Sequence, residues 1–243
     1  MKLTASILVA QFTCGFLRHV RYAVRAPLPF GARRRRLGAV LHAVIALYEK
    51  SGRRLAPALD ALATFVLPAA DLDEARAVLA WRHARDRDPD RRPFLIEGAL
   101  HAPLGAHSLD VRMDRLDRRE GEFTLAEYKT GRLVDPGPLR AQLRILAYAI
   151  GRALGKTPAE WEVELLGDRR IVLFDAERDL AALERFAAGL ADAVERDDRE
   201  PRPFDPEFCR RCPARRHCPR AVPDPIPLAE PAPPRESAQL NLF

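Results

Sequence analysis

The sequence predicts a mixed α/β domain with a helical insertion. Two changes of hydrophobic period and a cysteine-rich end point to it. Apolar residues recur at helical spacing through residues 36–88, then at strand spacing through residues 94–131, and helices and a further hairpin follow. The folded part ends in "CRRCPARRHC", residues 209–218. Beyond it, "PRAVPDPIPLAEPAPPRESA" holds seven prolines in twenty residues and cannot build a core. The predicted organisation is one domain over residues 1–218 with a helical insertion at about 51–90, a proline-rich tether over 219–238, and a short apolar terminus over 239–243.

Each element has its own signal. Leu37, Val40, Leu41, Val44, Ile45 and Tyr48 form one stripe of a helix over Arg36–Lys50, with Gly38 and His42 on its flank. Residues 53–88 read as helical and end in a polar break. "FLIEGAL", "HSLDVRMDRLD" and "EFTLAEYKTG" read as strands joined by turns such as "RREGE". "DPGPLRAQLRILAYAI" opens on a Pro-Gly turn and becomes a helix with Leu139, Leu143, Leu146 and Ile150 inward. "EWEVELLGDRRIVLF" reads as a hairpin. Asp175 is expected to cap a last long helix with the stripe Leu180, Leu183, Phe186, Leu190 and Val194.

The 243 residues carry a net charge of +6, which favours a polyanion partner, nucleic acid before membrane. No run of 18 apolar residues is present, and the start "MKLTASILVAQFTCGFL" lacks the cleavage site of a secretory leader. A cytoplasmic location is expected, where cysteines serve as ligands or core residues more often than as disulfides. C-x2-C-x5-C over Cys209, Cys212 and Cys218 has metal-ligand spacing. A thiolate site wants a fourth ligand; the spacing leaves zinc, which His217 or His19 could complete, and iron–sulfur equally open.

"LAEYKTG" holds the candidate chemistry. On a strand, Glu127 and Lys129 share a face and Tyr128 points to the other. A carboxylate there can hold magnesium or manganese, and the ammonium can offset charge on a transferring phosphate. Asp114, on the preceding strand, is a second oxygen ligand if the two strands pair antiparallel. E-x-K alone also suits an ordinary exposed strand.

"LGAVLH", "VRMDRLDR", "LAEYKTG", "AQLRILAYAI" and "FDPEFCRRCPARRHC" occur in an order that resembles the RecB-like branch of the PD-(D/E)XK nucleases, over about residues 4–218. The resemblance implies a mixed central sheet flanked by helices. It implies metal ligands at His42, Asp114 and Glu127, a catalytic lysine at Lys129, and a site-lining glutamine at Gln142. It departs from the family at Arg112, where a glycine is common, and at Leu146, where a tyrosine is common; Tyr148 projects from another face. The iron–sulfur subgroup, which includes CRISPR adaptation nucleases and the AddB type, implies a 4Fe–4S cluster on Cys14, Cys209, Cys212 and Cys218. The implied activity is a metal-dependent deoxyribonuclease, an exonuclease or endonuclease acting on single strands or DNA ends, in DNA repair or replication or in CRISPR adaptation. A DNA-binding adaptor without activity is the alternative. Arg33–Arg36 and Arg210, Arg211, Arg215, Arg216 and Arg220 are expected to form a basic track for phosphates.

"QLNLF" at the terminus resembles the peptide by which bacterial repair and replication proteins dock on the sliding clamp. Gln239 would set register, and Leu240, Leu242 and Phe243 would fill an apolar pocket. The tether reaches up to ~60 Å at ~3.1 Å per residue. Deleting residues 239–243 is expected to abolish clamp binding by calorimetry and to leave cleavage of free oligonucleotides intact. Clamp binding that survives the deletion would refute the assignment.

Overall fold

The computed structural model describes residues 1–28, 31–86, 91–130 and 136–220. A six-stranded mixed sheet lies between two groups of helices. The chain enters through β1 (Lys2–Thr4), α1 (Ala5–Thr13), α2 (Gly15–Arg18) and a π-helical turn over His19–Ala23. Then come α3 (Ala32–Lys50), α4 (Leu55–Ala63) and α5 (Ala69–Arg85). The strands β2 (Arg92–Leu104), β3 (His107–Arg119) and β4 (Glu122–Lys129) follow, then α6 (Pro136–Leu154), the hairpin β5 (Glu160–Leu165) and β6 (Arg170–Phe174), and α7 (Leu180–Glu195). A short α8 (Phe208–Arg211) and a 3₁₀ turn over Arg215–His217 carry the cysteine loop. Among the described residues no helix is long and apolar enough to cross a membrane. The tether lies outside the described residues except for Pro219 and Arg220, and the terminal peptide lies wholly outside them.

β3 is the organising strand. It pairs antiparallel with β2 along its whole length. On its other side it pairs parallel with β1 through residues 108–110, and antiparallel with β4 through residues 115–119. Residues 111–114 fall in the gap between those two neighbours. β3 and β4 are joined through Glu120 (φ 49°) and Gly121 (φ 81°), two left-handed residues in succession, as a tight hairpin requires. β4 then pairs parallel with β5.

One core holds Leu8, Met113, Leu125, Leu143, Leu146 and Val163, between the sheet and α1, α6 and α7. The other holds Leu41, Ile45, Tyr48, Leu62, Leu79 and Tyr128, between the sheet and α3, α4 and α5. Three details of the sequence reading change. The 53–88 segment is two helices, broken before Pro68, which caps α5. The last long helix is capped by Asp179, whose side chain accepts from Ala181 N at 2.9 Å, and not by Asp175. The opening residues form a strand and a helix that belong to the first core.

Charged residues are buried between α3, α5 and the sheet. Arg82 and Arg115 share Glu49 and Glu164, and all four side chains are within about 1% of full burial. Burial alone would raise the Glu164 carboxyl. The guanidiniums of Arg82 and Arg115 outweigh that and hold it at about 2. A depressed folded pKa gives stability that is complete above the unfolded carboxyl value and lost as pH falls through the folded one. Chemical denaturation is therefore expected to show stability falling between about pH 4.5 and about pH 2, with a shallower fall in Glu164→Gln. Glu164→Ala, which strands two buried guanidiniums, is expected to cost about 3–5 kcal/mol.

Candidate active site

Side-chain alternation slips on two strands at the same place. In β3, Met113 and Leu116 both join the α6-side core, although they stand three positions apart, which strict alternation would put on opposite faces. In β2, Leu95 and Leu100 do the same. The residues at the slip are Glu97 and Asp114. Glu97 has φ 51°, left-handed and rare for a residue with a side chain. Gly98 permits the kink, because a Cβ there would lie 2.9 Å from Leu95 Cβ. The slip aims both carboxylates at α3. His42 Nδ1 lies 2.9 Å from Asp114 Oδ1 and 3.5 Å from Glu97 Oε1.

α3 approaches closely because of Gly38, one turn before His42. A Cβ at residue 38 would sit 3.3 Å from Thr130 Oγ1, just past Lys129. On β4, Glu127 and Lys129 share a face as alternation requires, with Lys129 Nζ 3.2 Å from Glu127 Oε2. Tyr128 turns the other way into the second core. Gln142 of α6 ties the pair together. Its Oε1 accepts from Lys129 Nζ at 3.0 Å, and its Nε2 donates to Glu127 Oε2 at 2.5 Å.

Where the β3–β4 ladder ends, the carboxylates replace it. Asp114 N donates to Glu127 Oε1 at 3.3 Å, and Tyr128 N donates to Asp114 Oδ2 at 2.7 Å. Burial pushes the Glu127 carboxyl well above its ordinary range; Lys129 opposes this and Asp114 adds to it. Burial disfavours a charged His42, yet the Asp114 and Glu97 carboxylates beside it raise the imidazole to about 9.

The five residues expected from the sequence, His42, Asp114, Glu127, Lys129 and Gln142, thus meet at one place. Glu97 was missed, because nothing in "LIEG" marks a left-handed glutamate except the glycine after it. Tyr148 lies in the first core, where its hydroxyl donates to Pro103 O at 2.5 Å. The site opens into two grooves. One, of about 820 Å³, is lined by His42, Glu97, Arg112, Arg34 and Arg35. The other, of about 740 Å³, is lined by Lys129, Gln142 and Arg112, by residues of α1, and by Phe208 and Pro213 of the cysteine loop.

Residues 2–219 match the PD-(D/E)XK nuclease superfamily. The chain belongs to this superfamily. The nuclease also resembles two solved structures. A candidate exonuclease from Eubacterium rectale is 14% identical over 93% of this chain and 91% of that one, at a TM-score of 0.54, which shows a shared fold. The crystal structure of SSO0001 is 18% identical over 91% of this chain and 87% of that one, at a TM-score of 0.44. No curated protein matches the sequence.

Nucleases of this superfamily use divalent metal ions, and the donor set here fits one. His42, Glu97 and Asp114 offer ligand atoms within 4.8 Å of one another, and Glu97 Oε1 is buried without a hydrogen-bond partner. Oxygen donors with one imidazole suit magnesium or manganese.

The cysteines lie at the far end of α1. Cys14 stands between α1 and α2, buried with Leu17, Val20 and Ala214. With Cys209, Cys212 and Cys218 it lines one cavity of about 400 Å³. All four are free thiols. Burial raises the Cys209 thiol, and the neighbouring Cys14 and Cys218 raise it further. Of the expected basic track, Arg34 and Arg35 line the larger groove, while Arg210, Arg215 and Arg220 line the cysteine cavity. Arg33 is bonded to Asp71, and Arg210 to Glu207. Glu97→Ala is expected to weaken manganese binding to the nuclease about tenfold by calorimetry. Unchanged affinity would remove Glu97 from the ligand set.

Proposed function

We propose that the nuclease is a divalent-metal-dependent deoxyribonuclease that hydrolyses phosphodiesters in single strands or at DNA ends. The observation that carries the reading is the convergence of Lys129, Glu127 and Asp114 with His42, where two grooves meet. His42, Glu97, Asp114 and Glu127 are the residues that would hold the ion. When bound, magnesium or manganese supplies a Lewis acid for the phosphate and acidifies a water. Lys129 places its ammonium beside the transferring phosphate, where negative charge builds in the transition state. Gln142 fixes the Lys129 and Glu127 side chains against each other, and the Tyr128 amide fixes Asp114. Glu97 lines the larger groove, while Asp114 and Glu127 lie behind His42 and Lys129, which favours a strand that can bend inward over a paired, stacked duplex.

The four cysteines hold a 4Fe–4S cluster in this reading. Its support is that all four cysteines line one cavity of about 400 Å³. The cluster would pin the α1–α2 junction to the C-terminal loop. A role in repair or replication through the sliding clamp rests on "QLNLF" alone.

The test is anaerobic purification followed by digestion of end-labelled oligonucleotides with magnesium or manganese. The protein is expected to be brown, with broad absorbance near ~400 nm. Lys129→Ala should retain the colour and DNA binding while losing cleavage by on the order of 10²–10³-fold. Cys14→Ala should lose iron. Wild-type cleavage by Lys129→Ala would overturn the catalytic assignment, and a colourless protein with one zinc would overturn the cluster.

A further inference from the structure

Arg112 stands two residues before Asp114, where the resembling family commonly has glycine. A glycine there leaves the approach to the site bare, and this chain instead places a long cation on it. Arg112 also lies within residues 111–114 of β3, the stretch in the gap between β1 and β4. The two grooves share this residue. Arg112 lines the larger groove with Arg34, Arg35 and His42, and it lines the smaller groove with Lys129 and Gln142. A strand passing from one groove to the other must pass its guanidinium.

The side chain is held in place and still accessible. Its Nε and Nη2 both lie 3.0 Å from Glu97 Oε2, while the side chain remains 72% exposed. Its remaining N–H groups bond to no described residue. Glu97 therefore divides its two oxygens. Oε1 faces His42, and Oε2 orients Arg112. A guanidinium fixed on one edge and open on another suits a phosphate, because it offers paired donors with little rotamer freedom left to lose. The bonds of Arg112 to Glu97 Oε2, and not to the Oε1 that faces His42, set the guanidinium beside the ligand cluster.

Building on the nuclease reading above, we infer that Arg112 binds the backbone phosphate next to the scissile one as a single strand crosses between the grooves. It is a substrate-holding residue that this chain adds to the site. The contact is made before and during reaction alike, so it acts on binding more than on turnover.

The experiment uses the full-length protein and a fluorescein-labelled single-stranded oligonucleotide. Binding is read by anisotropy in EDTA over a salt series, and cleavage by steady-state kinetics with manganese. Arg112→Gly is expected to bind about tenfold more weakly. Its slope of log affinity against log salt should shrink by about 0.7, the value of one lost phosphate contact on a single strand. KM should rise by a similar factor while kcat stays within about twofold. Arg112→Lys, which keeps the charge and loses the planar fork, should fall between. If Arg112→Gly does not fold, Arg112→Gln carries the same expectations. Unchanged affinity and salt slope would overturn the inference, as would a collapse of kcat at constant KM. A wild-type protein that neither binds nor cuts the oligonucleotide would defeat the nuclease reading itself. A wild type that cuts, with Arg112→Gly indistinguishable from it, would defeat the assignment of Arg112 alone.

Discussion

The geometry of the site depends on a buried exchange of charge between β3 and α3. Asp114 and Arg115 are neighbours in sequence, and the slip in alternation turns both toward α3. Asp114 meets His42, and Arg115 meets Glu49. His42 and Glu49 are seven residues, or two helical turns, apart on one face of α3. The helix is thus held against the strand at two points, one in the candidate site and one in the buried ion-pair network. Arg115 and Arg82 are both buried and share the same two glutamates, and Asp117 and Asp86 lie close by. Such a network gives little net stability over an apolar one, but it tolerates few arrangements. A sliding helix would leave charges unpaired. The register of His42 on Asp114 is fixed by residues that lie outside the candidate site.

The same network shows where sequence reading succeeds and where it stops. The stripe from Leu37 to Tyr48 was legible because helical burial repeats on a fixed period. Glu127 and Lys129 were legible because strand alternation puts them on one face. Glu49, Arg82, Arg115 and Glu164 were not. Charged residues ordinarily lie in water, and nothing local announces that four of them will be buried together. Glu97 was hidden for a different reason. Its direction comes from a single left-handed residue inside a strand, and a period-two reading assumes there is none. Asp175 and Asp179 differ only in which one the chain reaches after the turn, a matter of loop length that propensity does not encode.

The cysteine loop and the candidate site share walls. Phe204 N donates to Thr13 O at 2.9 Å, and the Phe204 ring packs on Phe12 with centroids 4.7 Å apart. Gly137, at the start of α6, lies against that same ring, which leaves no room for a Cβ. Arg18, buried, bonds to Gln11 and to Asp197. The segment after α7 is thereby fastened across α1 and the beginning of the helix that carries Gln142. Phe208 and Pro213, just beyond it, face the groove that Lys129 and Gln142 line.

This fastening has a consequence for the order in which the protein can be made. β1 and α1 leave the ribosome before the rest of this domain, yet β1 waits for β3, more than a hundred residues later, and α1 waits for the segment at residues 197–213. Such distant pairings are slow, because the chain must close a long loop before any contact rewards it. A nascent chain that has already completed the helical insertion and the β2–β4 meander still lacks one wall of a groove. Synthesis must run almost to the last cysteine before the site has its full shape, so a chain released early carries the acidic residues without the groove that would present a strand to them.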